Sequence, residues 1–457
     1  MKSKKFKALL ITGITLGAVV VGAAGFLGIV SLSKNCRKNN DPEHATNTTG
    51  LVQAIGSSLY DKDGNKLRLN GTNAGNALVY EGWLSPFSCG ALTNEDGSYQ
   101  TDADGNVEYP ELTTEEVYAG FKSNPNLTDA QRKELYNLYL DNWFSKEDFK
   151  RVKDLGMNAI RLPFYWRNLL TYENGVYTRK DESEAFSYFD NFLANCKENN
   201  IYCILDLHGA PVTQNGYEHS GSMSKDLLWD DDKAIDATCD LWSYIAEHYI
   251  NNELGKYIAT YDILNEPTAT YRGKTEDKCY PIFDKIYKAI RNAGDQHCIT
   301  IETTWLFDSF KNPKKYEWEN IQYEIHIYNW NSSTIPYSLF YDYYELTNWF
   351  HNWNVPYLVG EFSFFDDANA WNKYLAMYDK RGYSWTTWTY KKVVVGWWND
   401  SWGLYNLKLH LDNNTHEAKL DLRNATYEQL HELALKVNTS NAEESNTYTT
   451  IKGYLTK

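Results

Sequence analysis

The feature that most constrains the fold is an alternation of short apolar runs with longer helical ones. Strand-like runs fall at 67–73, 158–164, 202–208, 258–265, 299–305, 321–328, 356–362 and 383–390. Stretches with helical spacing of apolar residues lie between several of them, at 146–155, 181–199, 232–249, 280–293 and 368–380. Strands that alternate with helices pair in parallel through crossover connections, and eight such units predict a (β/α)8 TIM barrel. The competing α/β arrangement is an open doubly wound sheet. That arrangement commonly carries a Gly-rich dinucleotide fingerprint or a P-loop after a strand, and neither motif is present.

The flanks complete the expected layout: an α/β barrel with an N-terminal hairpin and a long insertion after strand one. Residues 58–69 have the pattern of a hairpin turning at Asp63-Gly64. Residues 85–141 are too many for an ordinary connection and predict a partly helical excursion over the barrel mouth. Residues 426–437 predict a closing helix, so the catalytic barrel is expected over 51–437, followed by a polar tail at 438–457. The Asp-rich stretches at 61–65 and 102–106 resemble calcium loops at first sight. Their Gly is misplaced for an EF-hand and the distal Glu is missing, so they are expected to be turns.

The amino terminus has its own character. Lys2, Lys4, Lys5 and Lys7 precede an uncharged stretch at 8–33, and Lys34, Arg37 and Lys38 follow it. That stretch exceeds the roughly 7–15-residue core of a cleaved signal peptide and matches the ~20 residues that span a bilayer. Small residues at 21–24 keep cleavage open as an alternative. Residues 1–38 are therefore expected to be a membrane anchor or signal segment and 39–50 a linker. With no second spanning segment, the catalytic domain is expected outside the cell, displayed on the membrane or secreted.

A net charge of −15 argues against a nucleic-acid partner, whose recognition needs a basic face. The 7 Cys are scattered without zinc spacing, and no metal or other cofactor is expected. Aromatic residues are abundant, with 16 Trp, 36 Tyr and 18 Phe. They fill cores and also make platforms for sugar rings. Trp397, Trp398 and Trp402 in the loop after strand eight fit either role. Asp230-Asp231-Asp232 could hold a cation, but acidic residues also favour a helix amino terminus.

Barrel enzymes carry their chemistry at the carboxyl ends of the strands. Those ends offer Arg161, His208, Asn265, Glu266, His326, Tyr328, Glu361 and Trp388. Two carboxylates on the fourth and seventh strands suit glycoside hydrolysis, which needs a carboxyl pair flanking the scissile bond. Pro267 after Glu266 cannot continue a ladder and marks the end of the fourth strand. An arginine near Glu361 would favour the carboxylate a nucleophile needs, while Glu266 must hold a proton to act as acid. Asn265 could bond a sugar 2-hydroxyl.

These residues resemble those of family 5 glycoside hydrolases, barrel enzymes with acid/base and nucleophile on strands four and seven. The matching positions are Asn265-Glu266-Pro267, Glu361, Arg161, His208, His326-Ile327-Tyr328 and Trp388, and the resemblance extends over 51–437. It implies that Glu266 is the acid/base and Glu361 the nucleophile, with Arg161 and Tyr328 supporting Glu361. It also implies that His208 and Asn265 bind the sugar beside the bond, that His326 lies near Glu266 and that Trp388 floors that sugar. The runs at 204–221, 142–149 with 158–163, and 71–81 are similar to exo-β-1,3-glucanases of the family, in which the residue at Glu81 contacts the terminal sugar. Ala77 departs from their pattern, so exo mode and the 1,3 linkage are not specified. The expected substrate is a β-linked glucan or β-glucoside. A β-mannanase, a glycolipid-cleaving glycosidase, a transglycosylase, and an inactive membrane-displayed carbohydrate-binding barrel are the alternatives.

Overall fold

Strands buried on both faces read as nearly continuous apolar runs, and such runs become the staves of a closed barrel. The structure is a computed structural model that describes residues 41–47, 49–101, 108–224, 227–268, 276–303, 310–328, 353–394, 401–409 and 419–456. The barrel strands are β1 (Asn70–Asn73), β2 (Ala159–Tyr165), β3 (Tyr202–Gly209), β4 (Ile258–Asp262), β5 (Ile299–Glu302), β6 (Ile321–Tyr328), β7 (Tyr357–Ser363) and β8 (Ser384–Thr387). Each pairs in parallel with its neighbour in sequence, and β8 returns to β1 with Trp385 opposite Asn70. The expected TIM barrel is the fold of this chain.

The hairpin has a clear packing role. Its strands Gln53–Ile55, Ser58–Tyr60 and Lys66–Leu67 form a three-stranded antiparallel sheet. Val52, Leu59 and Leu69 pack in one cluster with Ala159, Ile204, Ala259 and Leu358, from the early parts of β2, β3, β4 and β7. The sheet thus plugs the amino end of the barrel, and water access to the interior is left to the carboxyl end. The turn forms where expected, with Gly64 at φ +83° in the left-handed region that suits glycine.

Helices cover the outside: α1 (Thr114–Ser123), α2 (Asp129–Trp143), α3 (Lys146–Asp154), α4 (Ser187–Asn199), α5 (Asp232–Tyr249), α6 (Glu276–Asn292), α7 (Ala368–Arg381), α8 (Tyr427–Lys436) and α9 (Asn446–Leu455). The insertion supplies α1 and α2. Its second helix packs on the closing helix α8, while Glu115 at its first helix donates its N–H to Gly221 O and pairs with Arg167 at 2.8 Å. The insertion therefore borders the loops after β2 and β3 and also runs down the flank.

Several expectations need correction. The helix expected at 181–199 is interrupted at Phe186, whose buried ring stacks on His248 at 3.8 Å; that tertiary contact overrides local helical preference. The 438–457 stretch is not a free tail. Glu443–Glu444 pairs with Tyr405–Leu407, and α9 packs against α7 with Tyr448 and Ile451 buried. Those two apolar residues, spaced i and i+3 among Thr and Lys, suffice to dock a short helix. Residues 41–47 of the expected linker are seated on the hairpin, where Asp41 accepts the Ser57 N–H at 2.9 Å. Asp231 caps α5 by accepting the Ala234 N–H at 3.0 Å, and Asp230 pairs with Lys278, so the acidic triplet is a helix start. Among the described residues no helix is long and apolar enough to cross a membrane. The 8–33 stretch, the 102–106 loop, Trp397 and Trp398 lie outside the described residues.

One glycine in β7 shows how tightly the interior is filled. A Cβ on Gly360 would lie 1.4 Å from Glu324 Oε1. Gly360→Ala should lower stability by roughly 1–3 kcal/mol, the range for overpacking a filled core. The check is a lower denaturant midpoint with an unchanged slope.

Candidate active site

The site is assembled around one fully buried cation. Arg161 on β2 is 0% exposed, and its guanidinium reaches six partners across the barrel, Glu324 among them with Oε1 3.5 Å from Nε. Nη1 donates to Glu361 Oε1 at 2.9 Å and to Asn73 Oδ1 at 3.0 Å. Nε and Nη2 both donate to Asp262 Oδ2, at 2.9 and 2.7 Å, and Nη2 also donates to Asn265 Oδ1 at 2.8 Å. Asp206 Oδ2 lies 3.0 Å from Nη1. Burial alone would lower the pKa of this guanidinium, but Asp206, Asp262, Glu324 and Glu361 together raise it well above its ordinary value. Burial drives Asp206, Asp262 and Glu302 well above the usual carboxylate range. A crowded apolar interior favours neutral acids over unpaired anions.

Glu361 on β7 is held at both oxygens, by Arg161 at Oε1 and by the Tyr328 hydroxyl at Oε2, 2.5 Å away. Glu266 follows the end of β4. Beyond Asp262 the chain still donates from Ile263 N to Thr300 O and from Asn265 N to Leu207 O, so Asn265 and Glu266 emerge in fixed directions. Glu266 has φ +41°, a left-handed conformation that is strained for a glutamate and typical of functional positions. Its N–H donates to Glu302 Oε2. Its carboxyl lies between two imidazoles, His326 Nδ1 at 3.0 Å from Oε1 and His219 Nε2 at 3.0 Å from Oε2. A carboxylate oxygen of Glu266, one of Glu361 and a ring nitrogen of His326 all lie within 4.8 Å of one another. Among the described residues these three are the donors near enough for a shared cation, but Arg161, Tyr328 and His219 already engage their carboxylates.

The other expected residues converge on the same mouth. His208 on β3 hydrogen-bonds through Nδ1 to Asp206 at 2.7 Å and faces Asn265 Nδ2 at 3.4 Å through Nε2. Burial first, with Arg161 adding to it, pushes its pKa down to about 3. The ring is therefore neutral. It stacks on Trp388 with centroids 5.4 Å apart at 10°. Trp388, Trp402 and Leu84 form a buried cluster with Trp83, Tyr328 and Phe365 against it, an aromatic wall beside Glu361. Glu81 accepts from Trp83 Nε1 at 2.6 Å, and burial pushes its pKa up to about 8.

The structure refines two of the expected roles. Asn265 Oδ1 is taken by Arg161, so only its amide nitrogen faces His208 and the mouth. The proton expected on Glu266 meets opposing influences. Burial pushes its pKa up, but His219 and then His326 more than offset that and carry it well below the usual range. Sequence reasoning also missed Asn73, Asp206, Asp262, Glu302, Glu324 and His219. A period-two signal was available for some of them. Asp206 with His208, and Glu324 with His326 and Tyr328, recur at i, i+2 and i+4 on one strand face. His219 lies in the 204–221 run that resembles exo-β-1,3-glucanases, but no periodicity marks it.

The cellulase family profile (glycosyl hydrolase family 5) matches residues 120–393, more than half of the chain. The chain belongs to glycosyl hydrolase family 5. It is similar to a beta-xylosidase of Phanerodontia chrysosporium, 28% identical over 286 residues covering 61% of this chain and 52% of that protein. It is likewise similar to a glucan 1,3-beta-glucosidase of Candida oleophila, 26% identical over 262 residues covering 57% and 55%. The chain spans about half the length of the curated relatives it matches. A crystal structure of endogalactoceramidase aligns with TM-score 0.51 at 16% identity, covering 74% of each chain; at that identity it shows the fold alone.

Arg161→Met removes the cation while leaving Asp206, Asp262 and Glu361 in place. Breaking one side of a buried charge cluster costs about 3–5 kcal/mol. A thermal melt of this variant should show the loss, with far less lost when Asp262→Asn accompanies it.

Proposed function

We propose that this chain is a retaining β-glycosidase that hydrolyses β-glucans or β-glucosides by double displacement. The observation that carries this reading is the approach of Glu266 and Glu361, whose nearest carboxylate oxygens lie within 4.8 Å. Retaining enzymes hold the pair about 5–5.5 Å apart, whereas inverting ones leave about 6.5–9.5 Å for a water. Glu361 attacks the anomeric carbon while the bond to the leaving oxygen breaks and Glu266 passes that oxygen a proton. Glu266 then takes a proton from water as the water attacks the same carbon and frees Glu361. Arg161 and Tyr328 hold the two oxygens of the nucleophile and aim it. His208 and the Asn265 amide bind the sugar at the cleaved bond, Trp388 forms its floor, His326 steadies Glu266, and Glu81 binds a sugar hydroxyl at the mouth.

The names of the relatives, a xylosidase and a glucan glucosidase, support β-linked pentose or glucose substrates. Mannan, glycolipid and transfer reactions use the same chemistry. A panel of laminarin, cellulose, mannan, glucosylceramide and aryl glycosides separates them. A purely carbohydrate-binding barrel gains nothing from the close carboxyl pair. The apolar 8–33 stretch is proposed to anchor the chain or direct it outward, leaving the barrel external. Carbonate extraction of membranes from expressing cells should leave the intact chain in the pellet, and complete release would remove the anchor.

Glu361→Ala should abolish hydrolysis, and Glu266→Gln should lose roughly 10²–10⁴-fold, the usual worth of general acid–base catalysis. A proton NMR time course should show the β-anomer first. An α-anomer as first product, or full activity in Glu361→Ala, would reject the mechanism.

A further inference from the structure

Glu266 faces an imidazole whose protonation is contested by its own neighbours. His219 lies on the loop after β3, and its Nε2 is 3.0 Å from Glu266 Oε2 and 2.9 Å from Asn215 Nδ2. The orientation of the Asn215 amide is set by the backbone. Its Oδ1 accepts the Tyr217 N–H at 2.9 Å, and its Nδ2 donates to the Glu266 carbonyl at 3.1 Å. A second amide hydrogen is thus directed at His219 Nε2. That hydrogen is satisfied only when Nε2 carries a lone pair, and the Oε2 contact is then attractive only if Oε2 carries the proton and shares that lone pair. A Glu266 carboxylate demands the reverse, a proton on Nε2. One nitrogen meets two neighbours that favour opposite states, which narrows the gap between them.

We infer that Asn215 and His219 form the proton partner of Glu266, sharing one proton across the Nε2–Oε2 contact and arming Glu266 as the acid. This rests on Glu266 being the acid/base. Before bond cleavage the proton leaves Nε2 for Oε2. From the Glu266 carboxyl it goes to the leaving oxygen as the glycosidic bond breaks. In the second half Glu266 takes a proton from the attacking water and can return it to Nε2, so each turnover starts with the same single proton on the pair. His219 touches neither sugar nor reacting carbon in this scheme and is a positioning residue.

The loop is built to keep that imidazole in place. Gln214 donates from Nε2 to the His208 and Asn265 carbonyls at 2.7 and 2.9 Å. Trp229 Nε1 donates to the Gln214 carbonyl at 2.9 Å. The Tyr217 ring stacks on His219 at 10°. The groups facing the pair are Glu81 after β1, Glu218 beside it, His208 on β3, Glu302 on β5, His326 on β6 and Glu361 on β7. Burial lowers the His219 pKa, but Glu266, Glu81 and Glu218 outweigh burial and raise it to about 9. The folded value is raised, so the proton is kept as pH rises until it passes that value. The pair holds its acid proton in a range where an isolated carboxyl has lost it.

The test uses the whole chain and aryl glycosides of whichever sugar it accepts, with phenyl and 2,4-dinitrophenyl leaving groups. A phenolate needs protonation to leave, and a dinitrophenolate does not. His219→Gln should lose at least ten times more kcat/KM on the phenyl than on the dinitrophenyl substrate. Its basic pH limb should also fall by a unit or more. Asn215→Asp puts an acceptor against Nε2, favours the proton there and should move the basic limb upward; it keeps the inference testable if His219→Gln folds poorly. Equal losses on both substrates with an unmoved basic limb would overturn it. Glu266→Gln serves as the reference. If Glu266→Gln itself shows no leaving-group dependence, the acid/base assignment fails; if it does and His219→Gln does not, only the proton-partner inference fails.

Discussion

The Arg161 guanidinium is the interaction on which the interior of this barrel depends. It is buried and bonded to groups from β1, β4, the chain just past β4, and β7, with Asp206 of β3 also within 3.0 Å. A lone ion in such a place would be prohibitive, and even paired ions commonly do little more than break even against apolar packing. The cluster is therefore better understood as a positioning device than as a source of stability. Its geometry ties strands that are far apart in sequence to one planar fork, and Glu361 takes its orientation from that fork. Arg suits this task because its donors are fixed in a plane and its charge survives burial.

The closed amino end makes the arrangement one-sided. The hairpin sheet plugs one mouth with Val52, Leu59 and Leu69, so the polar interior communicates with solvent through the carboxyl ends of the strands. Asp206, Asp262 and Glu324 are shut in, whereas Glu266 and His219 keep partial exposure at 16% and 19% of their side-chain surface. That gradient sorts the acids by task. Those shut in hold Arg161 and His326, and the carboxyl at the rim is open to solvent.

The proton inventory at the rim changes how the carboxyl pair is understood. Unlike environments for two acids are the general way one site supplies both nucleophile and acid. Here burial favours the protonated form of Glu266, while His219 and His326 on its two oxygens favour the carboxylate and carry its pKa below the usual range. Groups this close titrate as a set, so any macroscopic pKa measured here belongs to Glu266, His219 and His326 together.

How much was legible beforehand follows the range of the forces involved. Alternating apolar runs, Pro267 after Asn265-Glu266 and the order of polar residues at strand ends come from local pattern, so the barrel, Glu266, Glu361, Arg161, His208, His326 and Tyr328 could be read directly. The period-two placement of Asp206 with His208, and of Glu324 with His326, was present but mute, because an inward acid looks the same whether it is paired or not. Docking of α9 and the break at Phe186 depended on partners on other elements, Phe186 through its stack on His248. His219 stands for what periodicity did not single out, although it lies within the 204–221 run. It sits 47 positions before Glu266 on a loop with no periodic signal, and its meeting with that carboxyl is decided by how the loop after β3 folds back on Gln214, Trp229 and Asn265. Short-range chemistry pointed to the carboxyl pair, and long-range packing alone brought the His219 imidazole to within 3.0 Å of Glu266.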